Sequence, residues 1–485
     1  MNLLQNAVIV VISFLLSRII IDSDTHHYFV HSFLRRSRPN ISSLVSGILI
    51  SSYFLSLFFT NTVVVLSMLP VVKMLLEGIA DKSLKKYYTT HFILALIYGA
   101  NIGGMGSLTG SSLNFVFVSF IEISKIPGRE NITFFTWILI GVPATLILLF
   151  LARLILKPGE KKGLMDMALL DLSLKPEPSA HKKYTIFFAG NILLLFLLTF
   201  LQFFFRPPNI WSHFNIIDLS LFCYLMIFLF FVFIFPRRKK NAAAAFDNLI
   251  FFLFFLVFFP LIFINESWKE IRLRFHMTSG KKKTGLDVFI QKTFNRFWNI
   301  PFQKGWTDLK RKNVNVFVSA NKLIYDLPFF GLVFMGFVVV IAYGIIKLGD
   351  NPATAGIDGY VVGLLKKASS LLTPYQQDGF LFLLVVVFLS IFLTELINNT
   401  TVILITFPLI LTMAAGSNAN PLISLFAVTI ASSGAFMTPI ATSANAVGFA
   451  SLPGVSLKKM MARGLILNLA GGIWITLFFL FLGYL

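Results

Sequence analysis

The residues best placed to do chemistry in this chain are uncharged. Phe58 to Pro70 reads F-F-T-N-T-V-V-V-L-S-M-L-P, and Leu396 to Pro408 reads L-I-N-N-T-T-V-I-L-I-T-F-P. Asn61 aligns with Asn399, Thr62 with Thr400 and Pro70 with Pro408, without a gap. A second pair is rich in small residues: Ala100 to Asn114 is A-N-I-G-G-M-G-S-L-T-G-S-S-L-N, and Ala431 to Asn445 is A-S-S-G-A-F-M-T-P-I-A-T-S-A-N. Gly103 meets Gly434, Ser112 meets Ser443, and Asn114 meets Asn445. Interrupting a membrane helix exposes N–H groups at the start of one half-helix and C=O groups at the end of the other. Unpaired, those groups cost several kcal/mol in hydrocarbon. Paired with a ligand, the N–H ends draw an anion and the C=O ends a cation. Asn and Thr add donors and acceptors without an ion of their own, and Gly103, Gly104, Gly106 and Gly110 let the backbone bend and approach closely. A single such motif would read as interhelical glue or close packing. Four motifs recurring in the same order in two halves read instead as a transport site, since inverted repeats mark secondary transporters.

The elements that position these residues must be membrane spans. Of 485 residues, 56% are apolar and 13% charged, and the mean hydropathy is +0.81. A span needs roughly 20 apolar residues to cross about 30 Å of hydrocarbon, and about ten such stretches occur. Outer-membrane barrels are excluded because Leu193 to Phe205 and Leu219 to Phe235 are almost continuously apolar rather than alternating. A disulfide scaffold is excluded because Cys223 is the single cysteine. The expected fold is therefore an all-α polytopic membrane protein of two inverted repeats, each with a re-entrant helical hairpin and a broken transmembrane helix.

Charge orients the spans. The formal charge is +20, and the cations sit in joints: Arg35, Arg36 and Arg38; Lys82, Lys85 and Lys86; Lys157, Lys161, Lys162, Lys182 and Lys183; Arg237 to Lys240; Lys458, Lys459 and Arg463. These joints are placed on the cytoplasmic side, and those at 122–131, 206–215 and 414–420 outside. Residues 41–76 are basic at both flanks, so they enter and leave on one side as a hairpin. Residues 379–413 are flanked by weakly charged joints and enter from outside. The first repeat is then 1–156, with a broken helix at 90–121; the middle region is 157–322; the second repeat is 323–485, with a broken helix at 421–450. Residues 265–322 hold thirteen Lys or Arg against four Asp or Glu. That stretch, with Lys281 to Lys283, Trp298 and Trp306, is read as a cytoplasmic loop on anionic lipid headgroups rather than an RNA-binding patch. Leu3 to Ile21 lacks a basic n-region and a small-residue cleavage site and is read as a retained span. Leu249 to Ile264, apolar between two basic loops, breaks the parity and is read as a second re-entrant or interfacial helix.

The four motifs resemble the divalent anion sodium symporter family, which carries dicarboxylates, citrate and sulfate. That family has a Ser-Asn-Thr triplet at each hairpin tip and a Gly/Ala-Thr-Pro-Pro-Asn turn in each broken helix. Here the triplets are Thr60, Asn61, Thr62 and Asn398, Asn399, Thr400, and the turns are Gly110 to Asn114 and Ala441 to Asn445. Thr394, Glu395, Leu396 and Asp326, Leu327, Pro328 also look like the family, and the likeness covers roughly Ser17 to Phe150 and Asn321 to Leu485. Neither turn keeps its Pro-Pro, and Asn398 stands for the usual Ser. The resemblance implies that Asn61, Thr62, Asn399 and Thr400 hold the oxygens of a small anionic substrate, with Ser111 and Thr442 close by. It implies one Na⁺ site at Ser56, Thr60, Asn61 and the Gly110 backbone, and another at Thr394, the Ile397 carbonyl, Asn399 and the Ala441 carbonyl. It further implies symport by an elevator motion in a prokaryotic plasma membrane, and a homodimer whose first three or so scaffold spans have no counterpart before Leu3. Some members exchange anions without sodium. The oxygen-bearing side chains at the cation positions favour sodium.

Two other readings are open at this point. Within the same superfamily stands a proton-coupled arsenite or citrate–metal carrier. A membrane-embedded enzyme would need a nucleophile with a base, or a cluster of acids and His at the membrane face. The sequence offers no such acid cluster, no facing Ser and His, and no phosphate loop. Glu395 is an intramembrane acid, hence either a proton acceptor or a residue that holds its hairpin in shape. His26, His27 and His31 suit an interfacial helix better than a metal site.

Overall fold

The computed structural model describes residues 40–79, 81–158, 178–205, 209–211, 214–229, 379–414 and 420–484, with further positions between 5 and 20. The basic loop 265–322, the 249–264 segment, Asp326 to Pro328 and the histidines at 26, 27 and 31 lie outside the described residues. The chain forms two compact units, 1–218 with 341–485, and 219–340. In the second, the described part is the helical stretch Leu219–Leu229, where Tyr224 and Phe228 meet at 5.9 Å.

Five helices follow one another in the first stretch: α1 (Ile41–Ser56), α2 (Asn61–Glu77), α3 (Lys82–Gly106), α4 (Ser112–Ile123) and α5 (Phe134–Leu156). Then come α6 (Pro178–Phe205), a hairpin of β1 (Asn209–Trp211) and β2 (Phe214–Asn215), and α7 (Ile216–Leu229). The hairpin departs from an all-helical expectation, and it sits in a joint placed outside the membrane. Five more helices close the chain: α8 (Gly379–Thr394), α9 (Asn399–Ala414), α10 (Pro421–Ser432), α11 (Ser443–Ala450) and α12 (Leu457–Tyr484).

Local chemistry sets the ends. Asn40 caps α1 by accepting from Ser43 N at 2.6 Å, and Asn420 caps α10 ahead of Pro421 at the first helical position. Thr133 and Thr136 form a capping box at the start of α5. Asp81 caps α3, and main-chain hydrogen bonds from Leu84 and Ser83 hold its carboxyl below the usual carboxylate range. The cap's contribution is thus present at neutral pH and lost as pH falls through that lowered value.

Three described helices are long and apolar enough to cross a membrane, Phe134–Leu156, Thr185–Phe205 and Leu457–Gly483. Large apolar side chains such as Leu193, Phe205 and Phe481 stand 66%, 74% and 65% exposed on them, a surface suited to lipid and costly in water. By contrast α1, α8 and α10 have 16, 16 and 12 residues, about 24 Å or less at 1.5 Å per residue.

The two sets of five helices pack in the same order. In the first, α1 lies on α3, α2 on α3, and α3 on α5; in the second, α8 lies on α10, α9 on α10, and α10 on α12. Across the sets, α11 packs on α2 and α3, α4 on α9 and α10, and α5 on α12. Aromatic rings seal that seam: Phe117 of α4 stacks on Phe426 of α10 at 5.3 Å, and Trp137 of α5 meets Phe426 at 4.5 Å. Buried glycines permit the closest approach, between α1 and α3. A methyl on Gly103 would run into the Tyr53 carbonyl, and one on Gly99 into Ser52 Oγ and the Leu49 carbonyl.

Candidate functional site

Each set of helices presents a tip and a break. The first tip is residues 57–60 between α1 and α2, and the first break is 107–111 between α3 and α4. The second tip is 395–398 and the second break 433–442. The carbonyls that a broken helix leaves unpaired are met by an asparagine from the far side of the break. Asn114 donates through Nδ2 to the Gly104 and Ser107 carbonyls at 2.9 and 2.7 Å. Asn445 does the same to Ala435 and Thr438, each at 2.9 Å. In both cases the acceptors lie ten and seven residues earlier. The far half-helices are capped alike, by Ser111 on Leu113 N and by Thr442 on Asn445 N, at 3.3 and 3.0 Å.

The tips repeat the pattern. Ser56 Oγ donates to Asn61 Oδ1 at 2.8 Å, and Thr394 Oγ1 donates to Asn399 Oδ1, both five residues on. Ser107 Oγ donates to the Leu57 carbonyl, as Thr438 Oγ1 donates to the Glu395 carbonyl at 2.8 Å. Each tip is thereby pinned to its own break. The Gly110 Cα faces the Ser56 carbonyl so closely that a methyl there would overlap it. Gly104 abuts the Asn61 carboxamide in the same way.

The structure brings Ser56, Asn61 and Gly110 into one group, and Thr394 and Asn399 into another. Ser56 and Thr394 are fully buried, while Asn61, Thr62, Asn399, Thr400, Ser111 and Thr442 are half-buried. Thr60 is exposed and makes no capping hydrogen bond with its side chain. Ile397 is exposed and Ala441 buried. Among the described residues no hydrogen bond joins Asn61 to Asn399. What links the halves at the polar centre is Thr62 Oγ1 to Ser443 Oγ at 2.6 Å and a buried amide, Asn101. Asn61 Nδ2 donates to Asn101 Oδ1 at 3.3 Å, and Asn101 Nδ2 donates to Asn445 Oδ1 at 2.8 Å. Asn101 lies inside a motif that the sequence shows plainly, but its partners are 334 and 344 residues away, beyond any local pattern.

Glu395 takes one of its two expected roles. It is 4% exposed, and its Oε1 accepts from Phe436 N, Met437 N and Asn468 Nδ2, each at 2.8 Å. Its Oε2 accepts from Thr438 N at 2.8 Å and shares the one proton of the Thr438 hydroxyl, 2.9 Å away, with the Glu395 carbonyl. Three main-chain N–H groups and the Thr438 hydroxyl hold the carboxylate against the second break, and Asn468 holds it against α12, so it keeps the tip in shape.

Both groups fit a small hard cation. Hydroxyl and amide oxygens converge there without a charged side chain among them, the donor set that suits such ions. Substitution of Gly104 by Ala would push the Asn61 carboxamide out of register. Uptake by reconstituted Gly104→Ala is expected to fall about tenfold or more with the protein still in the membrane; wild-type uptake would show that Asn61 need not stand there.

Short helices ending against one another inside an apolar body, stitched by neutral amides, define a membrane carrier. The family model described as citrate transporter matches residues 2–431, and the chain belongs to that family. Among curated relatives, the sodium-dependent dicarboxylate transporter SdcS of Staphylococcus saprophyticus is 23% identical over 455 residues, covering 90% of this chain and 69% of its own. SdcS of Staphylococcus aureus is 27% identical over 124 residues, and an uncharacterized transporter of Haemophilus influenzae is 32% identical over 114. These two matches are local: they cover 23% and 22% of the relatives and less than a quarter of this chain.

Proposed function

We propose that this protein is a secondary active transporter that carries a di- or tricarboxylate across the plasma membrane together with Na⁺. The observation that carries the reading is the paired arrangement: in each half a tip hydroxyl bonds the asparagine five residues on, an asparagine reaches carbonyls ten and seven residues back across the break, and a hydroxyl of the break pins the tip. In this reading the sets 41–156 and 379–484 are repeats of opposite insertion, α1–α2 and α8–α9 are re-entrant hairpins, and α3–α4 and α10–α11 are broken helices. Support comes from the short hairpin arms, the matched packing order, the citrate transporter family and the sodium dependence in the name of the SdcS relatives.

The anion would lie where the tips meet the breaks. Thr62, Thr400 and Asn399 offer donors there, and the N-termini of α4 and α11, capped by Ser111 and Thr442, present main-chain N–H groups. Na⁺ would be held by Ser56, Thr60, Asn61 and Gly110 in the first half, and by Thr394, Ile397, Asn399 and Ala441 in the second. When bound, it supplies positive charge that offsets the cost of desolvating the anion. Asn61 serves the cation more than the anion, because its oxygen already faces Ser56 and one of its N–H groups is spent on Asn101. Hairpins and broken helices would slide as one body past the remaining spans, the elevator form of alternating access. A homodimer would supply the fixed frame for that motion.

Uptake of labelled succinate or citrate into proteoliposomes is expected to require an inward Na⁺ gradient and to fall to background with choline in its place. Uptake indifferent to the swap would overturn sodium coupling.

A further inference from the structure

We propose that Asn101 is a positioning residue that fixes the Asn61 carboxamide, so that the first oxygen cluster is pre-formed while the second is completed by its ligand. This rests on the cation reading above.

Asn101 is fully buried and uses every polar group it has. Its oxygen accepts from Asn61 Nδ2 at 3.3 Å, and its two N–H groups donate to the Ala435 carbonyl at 3.2 Å and to Asn445 Oδ1 at 2.8 Å. The match of Gly103 with Gly434 puts Ser432 where the first half has Asn101. Ser reaches one atom less far, has a single O–H donor in place of a carboxamide, and cannot span the same gap. The consequence is on the atoms: Ser432 Oγ is buried without a hydrogen-bond partner among the described residues, and so is Asn114 Oδ1, the counterpart of the Asn445 oxygen that Asn101 satisfies. Nor does Asn399 Nδ2 donate to any described residue, whereas Asn61 Nδ2 does. The halves thus share the bonds of their paired asparagines; they differ at Glu395, which stands where the first half has Leu57, and at Ser432, which leaves Asn114 Oδ1 and Asn399 Nδ2 without the partner that Asn101 gives their counterparts.

The difference has a direction. Asn61 is held at both ends of its amide, by Ser56 on Oδ1 and by Asn101 on Nδ2, so its oxygen is aimed before any ion arrives. Asn399 is held at its oxygen end alone, and its amide must settle when the ion binds. A site whose ligands are already ordered loses less freedom on binding, so the first cluster fills at lower Na⁺. Through Asn445 and Ala435 the same residue ties that cluster to the second break, making occupancy of one half felt by the other.

The test uses full-length protein in proteoliposomes, with Na⁺ and succinate or citrate titrated separately. Asn101→Ser, which makes the halves alike at this position, is expected to raise half-saturating Na⁺ about tenfold, while half-saturating anion at saturating Na⁺ moves less than twofold. Ser432→Asn, which offers Asn114 Oδ1 its missing donor, is expected to lower half-saturating Na⁺. An Asn101→Ser protein with a wild-type Na⁺ response overturns the proposal, as does one whose Na⁺ response, anion response and thermal stability all fall together, the mark of a plain staple. Should Asn101→Ser fail to reach the membrane, Ser432→Asn decides alone, and an unchanged Na⁺ response overturns the proposal. Wild-type uptake indifferent to Na⁺ overturns the cation reading and this proposal with it; a Na⁺-dependent wild type beside unresponsive variants overturns this proposal only.

Discussion

Asn399→Ala and Asn61→Ala are each expected to lower uptake by at least about a hundredfold while the protein still inserts. Asn399 is half-buried; its oxygen takes the Thr394 hydroxyl, and its amide nitrogen donates to no described residue. In the proposed site, alanine there would remove a cation ligand and an anion donor together. Contacts to charged partners contribute about 1.5–3 kcal/mol each, and two of them exceed the 2.8 kcal/mol or so that a hundredfold represents. Asn61→Ala would remove the Ser56 partner and leave the Asn101 oxygen unpaired in a buried position. Surface labelling or a fluorescent fusion checks insertion, and initial uptake rate reads the effect. Near-normal rates in both variants would move the site elsewhere.

The second large effect is on stability. Glu395→Ala strips four hydrogen bonds from the second break and one from Asn468 of α12, and leaves the Phe436, Met437 and Thr438 amides without their acceptor. Orphaned buried donors cost about 1–3 kcal/mol each, so a loss of roughly 3 kcal/mol or more is expected even after the buried charge is removed. Thermal unfolding in detergent should shift down by many degrees. Glu395→Gln keeps the shape but turns an N–H toward the donors on one side, and should fall between. Glu395→Ala that unfolds as wild type would show that the carboxylate does not hold the second break.

How much of this could be read along the chain depends on the range of the interaction. Apolar runs and loop charges are local sums, and so the helical, membrane-spanning character is written plainly in stretches such as Leu193 to Phe205. Caps are local too: Asn40, Asp81 and Asn420 with Pro421 each act within three residues. The start of α3 at Lys82, eight residues ahead of the expected 90, comes from weighting Lys82, Lys85 and Lys86 as loop. The Asp81 cap and the long aliphatic stems carry those residues into the helix instead. Asn114 and Asn445 were legible as a matched pair in turns, but their work as stitches across a break depends on where α3 and α10 end. Asn101 was hidden inside a glycine-rich motif, since an amide's value lies in partners hundreds of residues distant. Glu395 stood out as an acid in an apolar run, yet three of its donors are main-chain groups, which no side-chain pattern records, and Asn468 lies 73 residues away.

The central claim is that one anion is held between the two tips and breaks, and that Na⁺ completes the site. Thermal unfolding of purified protein with succinate or citrate, with and without Na⁺, reads it directly, since a ligand of the folded state raises the midpoint. A rise that needs anion and Na⁺ together and disappears in Asn399→Ala is expected. An equal rise in Asn399→Ala, or no rise with any carboxylate in the presence of Na⁺, would contradict it.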